Sequence, residues 1–376
     1  MDSLICEYKK CTGCAACFSI CPKNCITMHA DDEGFLRPKI DDSMCINCNR
    51  CKKVCPINKK SMEDNKFPTA FAVKHKNDSV REKSSSGGVF TAVSEIILKS
   101  SGVVIGAGFD ENFMVKHKIC NNVESLDELR RSKYVQSRIG TVLQDTKKYL
   151  DKGINVLFVG TPCQVDGLLS YLGKTYTNLY TIDFICHGVP SPMAWKKYME
   201  FRRKSANAEI TDISFRSKEL GWKNFSMKID FSNGNKYSST VSEDMYLRSF
   251  IMDMDLRPSC YDCHFKTIHH LSDFTVADYW GADKQIPEWN DNKGISLVLA
   301  HSEKAINLLA ECNSVDVLEV PFERAIEGNP SLTTSVKQPN LRKKFMREIQ
   351  IKSFDKLHDK YCGNNILAKV RRKMPR

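Results

Sequence analysis

At 376 residues, 27% charged and 41% hydrophobic, the chain is long enough for a small module plus one or two larger domains with cores of their own. The formal charge of +11 looks like the signature of a nucleic-acid or membrane binder until it is located: Lys337 to Arg376 holds 13 Lys/Arg against 3 Asp/Glu, and the remainder is nearly neutral. No stretch nears the roughly 18 apolar residues of a membrane span and the start, MDSLICEYKK, has no secretory pattern, so a cytoplasmic location is expected and the 17 clustered cysteines point to metal ligation rather than disulfides.

The first element in chain order is a pair of cysteine runs. Cys11-x2-Cys14-x2-Cys17-x3-Cys21-Pro22 recurs 34 residues later as Cys45-x2-Cys48-x2-Cys51-x3-Cys55-Pro56, the spacing of bacterial two-cluster ferredoxins. Three thiolates two residues apart wrap one iron–sulfur cube, and the fourth, before proline, completes the other. The expected ligand sets are therefore Cys11, Cys14, Cys17 and Cys55 for one 4Fe–4S cluster, and Cys45, Cys48, Cys51 and Cys21 for the second. Zinc modules use two pairs rather than two runs of four. Cys6 and Cys25 stand outside the pattern and read as small buried residues.

Residues 1–60 thus form a ferredoxin-like domain, and the polar stretch from Asn58 to Pro68 reads as a linker. Beyond it, helical and strand periods alternate. Ser84 to Gly88 caps a helix with apolar positions at Val89, Val93, Ile96 and Ile97, and a strand follows over Val103 to Phe109. Ser125-x-x-Glu128 reads as a capping box opening a short helix, and a longer helix spans Ile139 to Leu150. The strand Ile154 to Val159 runs into Gly160-Thr161-Pro162-Cys163-Gln164 and another helix. The strand from Leu179 to Ile185 ends at Cys186-His187-Gly188. This alternation predicts a mostly parallel sheet with helices on its faces, α/β in class and α+β overall, with sites where the strands end. Met227, Ile229 and Phe231 alternate up to Asn233-Gly234, a type I′ hairpin signal that marks an antiparallel insertion. Ile295 to Ala300 reads as one more buried strand, followed by a helix through about Cys312.

The stretches GTPCQ (160–164), DFICHGVPSP (183–192), RPSCYDC (257–263) and DFTVADYWG (273–281) together resemble the coenzyme F420 hydrogenase/dehydrogenase beta-subunit family, in the branch with a two-cluster ferredoxin fused in front. The match spreads over roughly residues 70–320. With it the chain divides into the ferredoxin domain, a flavin-binding part at 69–150, a part at 151–320 holding a third cluster and the flavin or substrate site, and a basic helical tail at 321–376. The resemblance implies FAD and a third 4Fe–4S cluster; it does not imply F420 itself.

Read from the residues, Thr161-Pro162 fits an N-cap and first helical position. That puts Cys163 in the first turn, where the helix dipole favours a thiolate. Cys163, Cys186, Cys260 and Cys263, from three segments, suffice for a third cube, and buried apolar cysteines are the other reading of the spacing; the resemblance favours the cube. Cys260-Tyr-Asp-Cys263-His264 also matches a haem c attachment motif, which does not suit a cytoplasmic chain. Gly106-x-Gly108 lacks the third glycine of a dinucleotide fingerprint, and Gly167 to Lys174 is mis-spaced for a P-loop.

Ser85, Ser86, Gly87 and Gly88 form either an ordinary cap or an anion site at a helix start. The resemblance places FAD pyrophosphate there, with Lys133, Tyr134, Gln136, Ser137 and Thr161 near the flavin. His187 is the candidate proton donor, with a satisfied structural histidine as the plainer reading. Asp273 and Asp278, five apart on a strand, face opposite sides, so at most one reaches a site. In the tail, Leu341, Phe345, Ile349, Phe354, Leu357 and Tyr361 recur at near-helical spacing among basic residues. That suits a helix packed on the body or a membrane-surface contact, with Arg371-Arg372-Lys373 as a frayed end. Nothing supports nucleic-acid binding. The whole reads as a FAD and iron–sulfur oxidoreductase taking electrons from a one-electron donor such as ferredoxin to a small-molecule acceptor. The alternative is an electron-transfer subunit of a hydrogenase or dehydrogenase complex.

Overall fold

The computed structural model describes residues 5–59 and 67–363. Most of the expected linker and the Arg371-Arg372-Lys373 end lie outside them. In the N-terminal module the sequence repeat becomes a backbone repeat. Each cysteine run turns through a left-handed residue, Ala15 (φ 63°) or Asn49 (φ 58°), into a five-residue helix, Ala16–Ile20 or Arg50–Val54. Each helix ends in an extended Cys-Pro, at Cys21 and Cys55, which turns the fourth cysteine away from its own run. Between the runs, β1 (Ile26–Ala30) and β2 (Leu36–Ile40) pair antiparallel.

The second unit is built on an eight-stranded mixed sheet. Its strands are β3 (Thr69–His75), β4 (Val103–Phe109), β5 (Val115–Cys120), β6 (Val156–Val159), β7 (Leu179–Phe184), β11 (Phe274–Asp278), β12 (Ser296–Ala300) and β13 (Val315–Val320), in the order β13-β3-β12-β11-β7-β6-β4-β5. The contiguous block β11-β7-β6-β4 is parallel, and antiparallel strands flank it. Five of the eight strands run the same way, as the strand–helix alternation predicts. Alternate residues face opposite cores: Val103, Ile105, Val156 and Phe158 one, Val104 and Leu157 the other. Helices Val142–Asp151 and Pro162–Leu172 cover the first face; Val89–Lys99 and Glu303–Ala310 cover the second. The insertion is a three-stranded antiparallel sheet, β10-β9-β8, formed by β8 (Ile210–Ser217), β9 (Ser226–Phe231) and β10 (Lys236–Thr240).

Local details depart from the sequence reading for identifiable reasons. The β9–β10 loop has three residues, closed by Phe231 N–H to Asn235 O, and of the Asn233-Gly234 pair only Gly234 takes a positive φ (82°). It is a turn followed by a left-handed glycine, not type I′; Asn233 instead spends its side chain on Ala206 O and Asn235 N–H. The capping box at Ser125 does not form, because Ser125 turns back onto Cys120 and Asn122 while Glu128 pairs with Lys118. The helix expected from Ile139 starts at Val142, after Gly140 at φ 57°.

The tail is part of the body. Helices Arg342–Glu348 and Phe354–Tyr361 bury Phe345, Ile349, Phe354, Leu357 and Tyr361 in a core shared with Trp195, Phe215 and Tyr246, so this apolar face is not presented to a membrane surface.

The N-terminal module is docked rather than tethered. Its cysteine helices share a core with Val165 and Leu168. Arg342 grips both carboxylate oxygens of Glu33 at 2.6 Å, Gln350 Nε2 donates to Asp32 O, and Leu36 N–H donates to Gln136 Oε1. The approach is close at Gly167, where a Cβ would stand 2.8 Å from Cys14 Cβ and 3.0 Å from its sulfur. Gly167→Val should therefore lower stability by about 1–3 kcal/mol through overpacking, measured by denaturant unfolding. An unchanged midpoint would mean that the module is not seated on this helix.

Candidate functional site

The eight cysteines of the two runs separate into two groups, and the groups cross between the runs. Cys55 stands with Cys11, Cys14 and Cys17 as electrostatic neighbours. Cys21 lines a different cavity with Cys45, Cys48 and Cys51. Cys6 and Cys25 are more than small fillers: Cys6 lies within hydrogen-bond reach of Cys11 and Cys55, and Cys25 Sγ is 3.3 Å from Cys21 Sγ. Each group thus has a fifth thiol. The first group is the inner one, against Gly167, with the Cys14 thiol pushed up to about 12 by burial. The second opens outward, where Cys48 is exposed beside Met44 and Ile46, themselves 51% and 56% exposed.

A second cavity sits at the carboxyl ends of β6 and β7. Cys163, Cys186, Cys260 and Cys263 all line it, with Thr12 of the N-terminal module on its wall. Thr161 caps the helix Pro162–Leu172 through a capping box with Gln164, and Pro162 follows at the first helical position. That geometry aims Cys163 at the cavity. Cys186 follows the end of β7, and the turn Pro258–Asp262 carries Cys260. Hydrogen bonds converge on the sulfurs: Val189 N–H donates to Cys260 Sγ at 3.3 Å, and the Thr161 hydroxyl is 3.1 Å from Cys163 Sγ. The walls hold two cations, Arg257 and Lys266, and no carboxylate. The helix dipole does not win at Cys163: burial pushes its thiol well up, and it does the same for Cys186, Cys263 and Cys260, the last to about 11. Four half-buried thiols beside two cations are the donor set that iron would deprotonate on binding. His264, the haem-motif histidine, is exposed and lines a separate cavity with Lys10 and Thr12.

His187 lies on the wall of the cysteine cavity. Its Nε2 is 2.6 Å from Asp253 Oδ1, and because a carboxylate only accepts, Nε2 carries the proton. Its ring meets Phe250 edge-on at 5.1 Å, and Phe250 stacks on Tyr134 at 4.7 Å. Phe250 therefore joins the cysteine cavity to a second group of side chains at the ends of β4 and β11.

That second group is cationic. Lys133 Nζ donates to Arg130 O and Arg131 O and sits over Phe109. Lys218 Nζ donates to Arg81 O, Ser86 O and Lys293 O. Neither ammonium has a carboxylate in ion-pair contact among the described residues, and burial lowers both to about 7. They flank the Ser85-Ser86 dipeptide, since Ser85 Oγ accepts from Ser132 N–H at 2.7 Å. Arg216, Trp222 and Asp278 close the wall, with Asp278 accepting from both Arg216 and Trp222. Asp273 lies just before the other end of β11 and binds Thr181, so one aspartate of the pair reaches the site because the two stand at opposite ends of the strand.

Several expected flavin contacts have other work. Gly87 N–H is taken by Ser296 Oγ, and a Cβ there would stand 2.2 Å from Val73 O. Gly87 thus serves the close approach to β3 and β12, and its amide is not free for a phosphate. Gly88 (φ +94°) caps the following helix, with His75 3.0 Å from where a Cβ would lie. Gln136 belongs to the contact with the N-terminal module, Ser137 Oγ is 2.7 Å from His117 Nδ1, and Thr161 belongs to the cysteine cavity. Lys133 and Tyr134 remain beside Ser85 and Ser86. Arg216, Lys218, Lys266 and Arg257 were not singled out from the sequence. Of these only Arg257 carried a local signal, three residues before a C-x2-C pair.

Residues 153–323 match the family model for the C-terminal part of the coenzyme F420 hydrogenase/dehydrogenase beta subunit, and residues 10–59 match the 4Fe–4S dicluster domain. An uncharacterized ferredoxin of Methanocaldococcus jannaschii is 34% identical over 55 residues, 15% of this chain and 70% of that protein. The solved F420-reducing NiFe hydrogenase complex from Methanosarcina barkeri contains a chain that aligns with a TM-score of 0.48 at 15% identity, over 77% of this chain and 93% of its own. The described residues include no helix long and apolar enough to cross a membrane. The chain thus joins a 4Fe–4S dicluster domain at its N-terminus to a region, residues 153–323, that matches the C-terminal part of the coenzyme F420 hydrogenase/dehydrogenase beta subunit.

Proposed function

We propose that this protein is an iron–sulfur flavoprotein oxidoreductase. It exchanges electrons singly with a one-electron carrier such as ferredoxin and in pairs with a small-molecule substrate. The observation that carries this reading is the cysteine cavity, where four half-buried thiols from three segments face two cations and, among the described residues, no carboxylate, one helical turn from the contact between Gly167 and Cys14. Cys11, Cys14, Cys17 and Cys55 would hold one 4Fe–4S cluster, Cys45, Cys48, Cys51 and Cys21 a second, and Cys163, Cys186, Cys260 and Cys263 a third. FAD would lie against Tyr134, the Ser85-Ser86 dipeptide, and Lys133 and Lys218, whose half-buried ammonium groups have no carboxylate in ion-pair contact among the described residues and suit a pyrophosphate. When bound, the clusters supply one-electron transfer and the flavin supplies its conversion to two-electron chemistry.

The protein's own residues set the order of these sites. The outer cysteine group has the exposed Cys48, Met44 and Ile46 around it, a small apolar surface on which a carrier can dock. The inner group sits on the helix that carries Cys163. Phe250 and His187 stand between the cysteine cavity and the cationic wall. With Nε2–H committed to Asp253, Nδ1 is the atom of His187 that would exchange a proton.

Anaerobically purified protein should hold about twelve iron atoms per chain, from three cubes of four. Cys260→Ser with Cys263→Ser should remove about four while the dicluster signals persist. An iron content of eight in active wild-type protein rules the third cluster out. Cys55→Ser should disturb the cluster of Cys11, Cys14 and Cys17, read by electron paramagnetic resonance; damage confined to the other cluster would reverse the crossed assignment. Lys218→Met should lower bound FAD several-fold at unchanged iron, measured by flavin release. Substitution at Gly87 is a poorer probe, because a side chain there strikes β3 and β12 whatever is bound.

A further inference from the structure

Arg257 is 1% exposed, and among the described residues no carboxylate pairs with it. Its Nε donates to Cys11 O at 2.7 Å and its Nη2 to Leu36 O at 3.0 Å, with Cys11 Sγ 3.7 Å from the same nitrogen. Nη1 is buried and has no hydrogen-bond partner. It lies beside Gly13 in the Cys11–Cys14 turn, 3.0 Å from where a Cβ on Gly13 would stand, and Gly13 takes φ +74°. The backbone of Arg257 belongs to the other side: its N–H donates to Val189 O, its carbonyl accepts from Cys260 N–H, and its side chain lines the cysteine cavity. One residue of the larger unit thus places a fixed positive charge between the inner cysteine group of the dicluster domain and the cavity of Cys163, Cys186, Cys260 and Cys263.

A guanidinium buried without a carboxylate is costly unless an anion compensates it, and it stays charged at every accessible pH. Carbonyl oxygens accept from Nε and Nη2 but leave Nη1 and the charge uncompensated. A four-iron cluster held by four thiolates is anionic and gains a further negative charge when reduced. A buried cation at its edge therefore favours the reduced state, and a low local dielectric strengthens the effect.

We infer that Arg257 is a positioning residue that supplies the counter-charge of the inner cluster and raises its reduction potential, making that cluster the favoured stop for an electron between the outer cluster and the cysteine cavity. The inference about the inner cluster needs only the dicluster domain. The onward link to the cavity rests on the third cluster proposed above.

The test is a potentiometric titration of the full-length, anaerobically purified chain, followed by electron paramagnetic resonance. It is run in the wild-type background and in the Cys260→Ser/Cys263→Ser background, where only the two dicluster signals remain and the third-cluster reading plays no part. Arg257→Gln should lower the midpoint potential of one dicluster signal, leave the outer one in place as an internal control, and leave the iron content unchanged. Arg257→Lys, which keeps the charge without the fork, should return most of the lost potential. Unchanged potentials in an iron-replete Gln variant overturn the proposal, and so do equal shifts of both signals, which would mark a general loosening. If the Gln variant loses iron, the Lys variant remains decisive: a fall in its potential at full iron content overturns the role of the charge.

Discussion

The arrangement depends on how closely two separately built units can approach without water between them. Gly167 allows the Cys14 side chain to lie directly on the helix Pro162–Leu172, one turn from Cys163. Any side chain at that position would push the inner cysteine group off the helix. The helix is itself held by the Thr161 capping box at the end of β6, so the contact between the units and the position of Cys163 are set by the same short stretch of chain. Arg342 on Glu33 and Gln136 on Leu36 prevent the module from rocking about that contact.

Charge organises what lies on either side. Arg257, Lys266, Lys133 and Lys218 are buried or half-buried cations that donate to carbonyl oxygens rather than to carboxylates. A folded protein avoids such groups unless something anionic meets them. Their distribution follows the proposed groups: one pair at the thiols and one at Ser85 and Ser86. By contrast, Arg216 and Arg342 have carboxylate partners, Asp278 and Glu33, and hold wall and interface in place. The aromatic bridge between the two sites, Phe250 with His187 and Tyr134, keeps the sites in contact.

Much of this was legible because cysteine spacing and apolar period act locally. Two C-x2-C-x2-C-x3-C-P runs specify where each fourth thiol points, since proline forces an extended exit from each short helix. Thr161-Pro162 set the helix start before Cys163 for equally local reasons. The signals that failed were also local, but weaker than their neighbours. Ser125 had a better partner in Asn122 than in its own helix, and Gly87 was needed by two strands from elsewhere in the chain.

By itself, the sequence determined the two crossed cysteine groups, the alternation that builds the parallel block, and the segments that deliver Cys163, Cys186, Cys260 and Cys263. These follow from periods of two, three or four residues, which the backbone imposes regardless of context. Only the tertiary structure decided that the module is docked, that the basic tail is a core element, that Gly87 and Gln136 serve packing, and that Arg257, Lys133 and Lys218 are cations without carboxylates. Those facts depend on which strand or helix lies opposite a residue, and the pairs that matter, Gly167 with Cys14 and Arg257 with Cys11, are separated in the chain by long stretches that carry no local record of the contact.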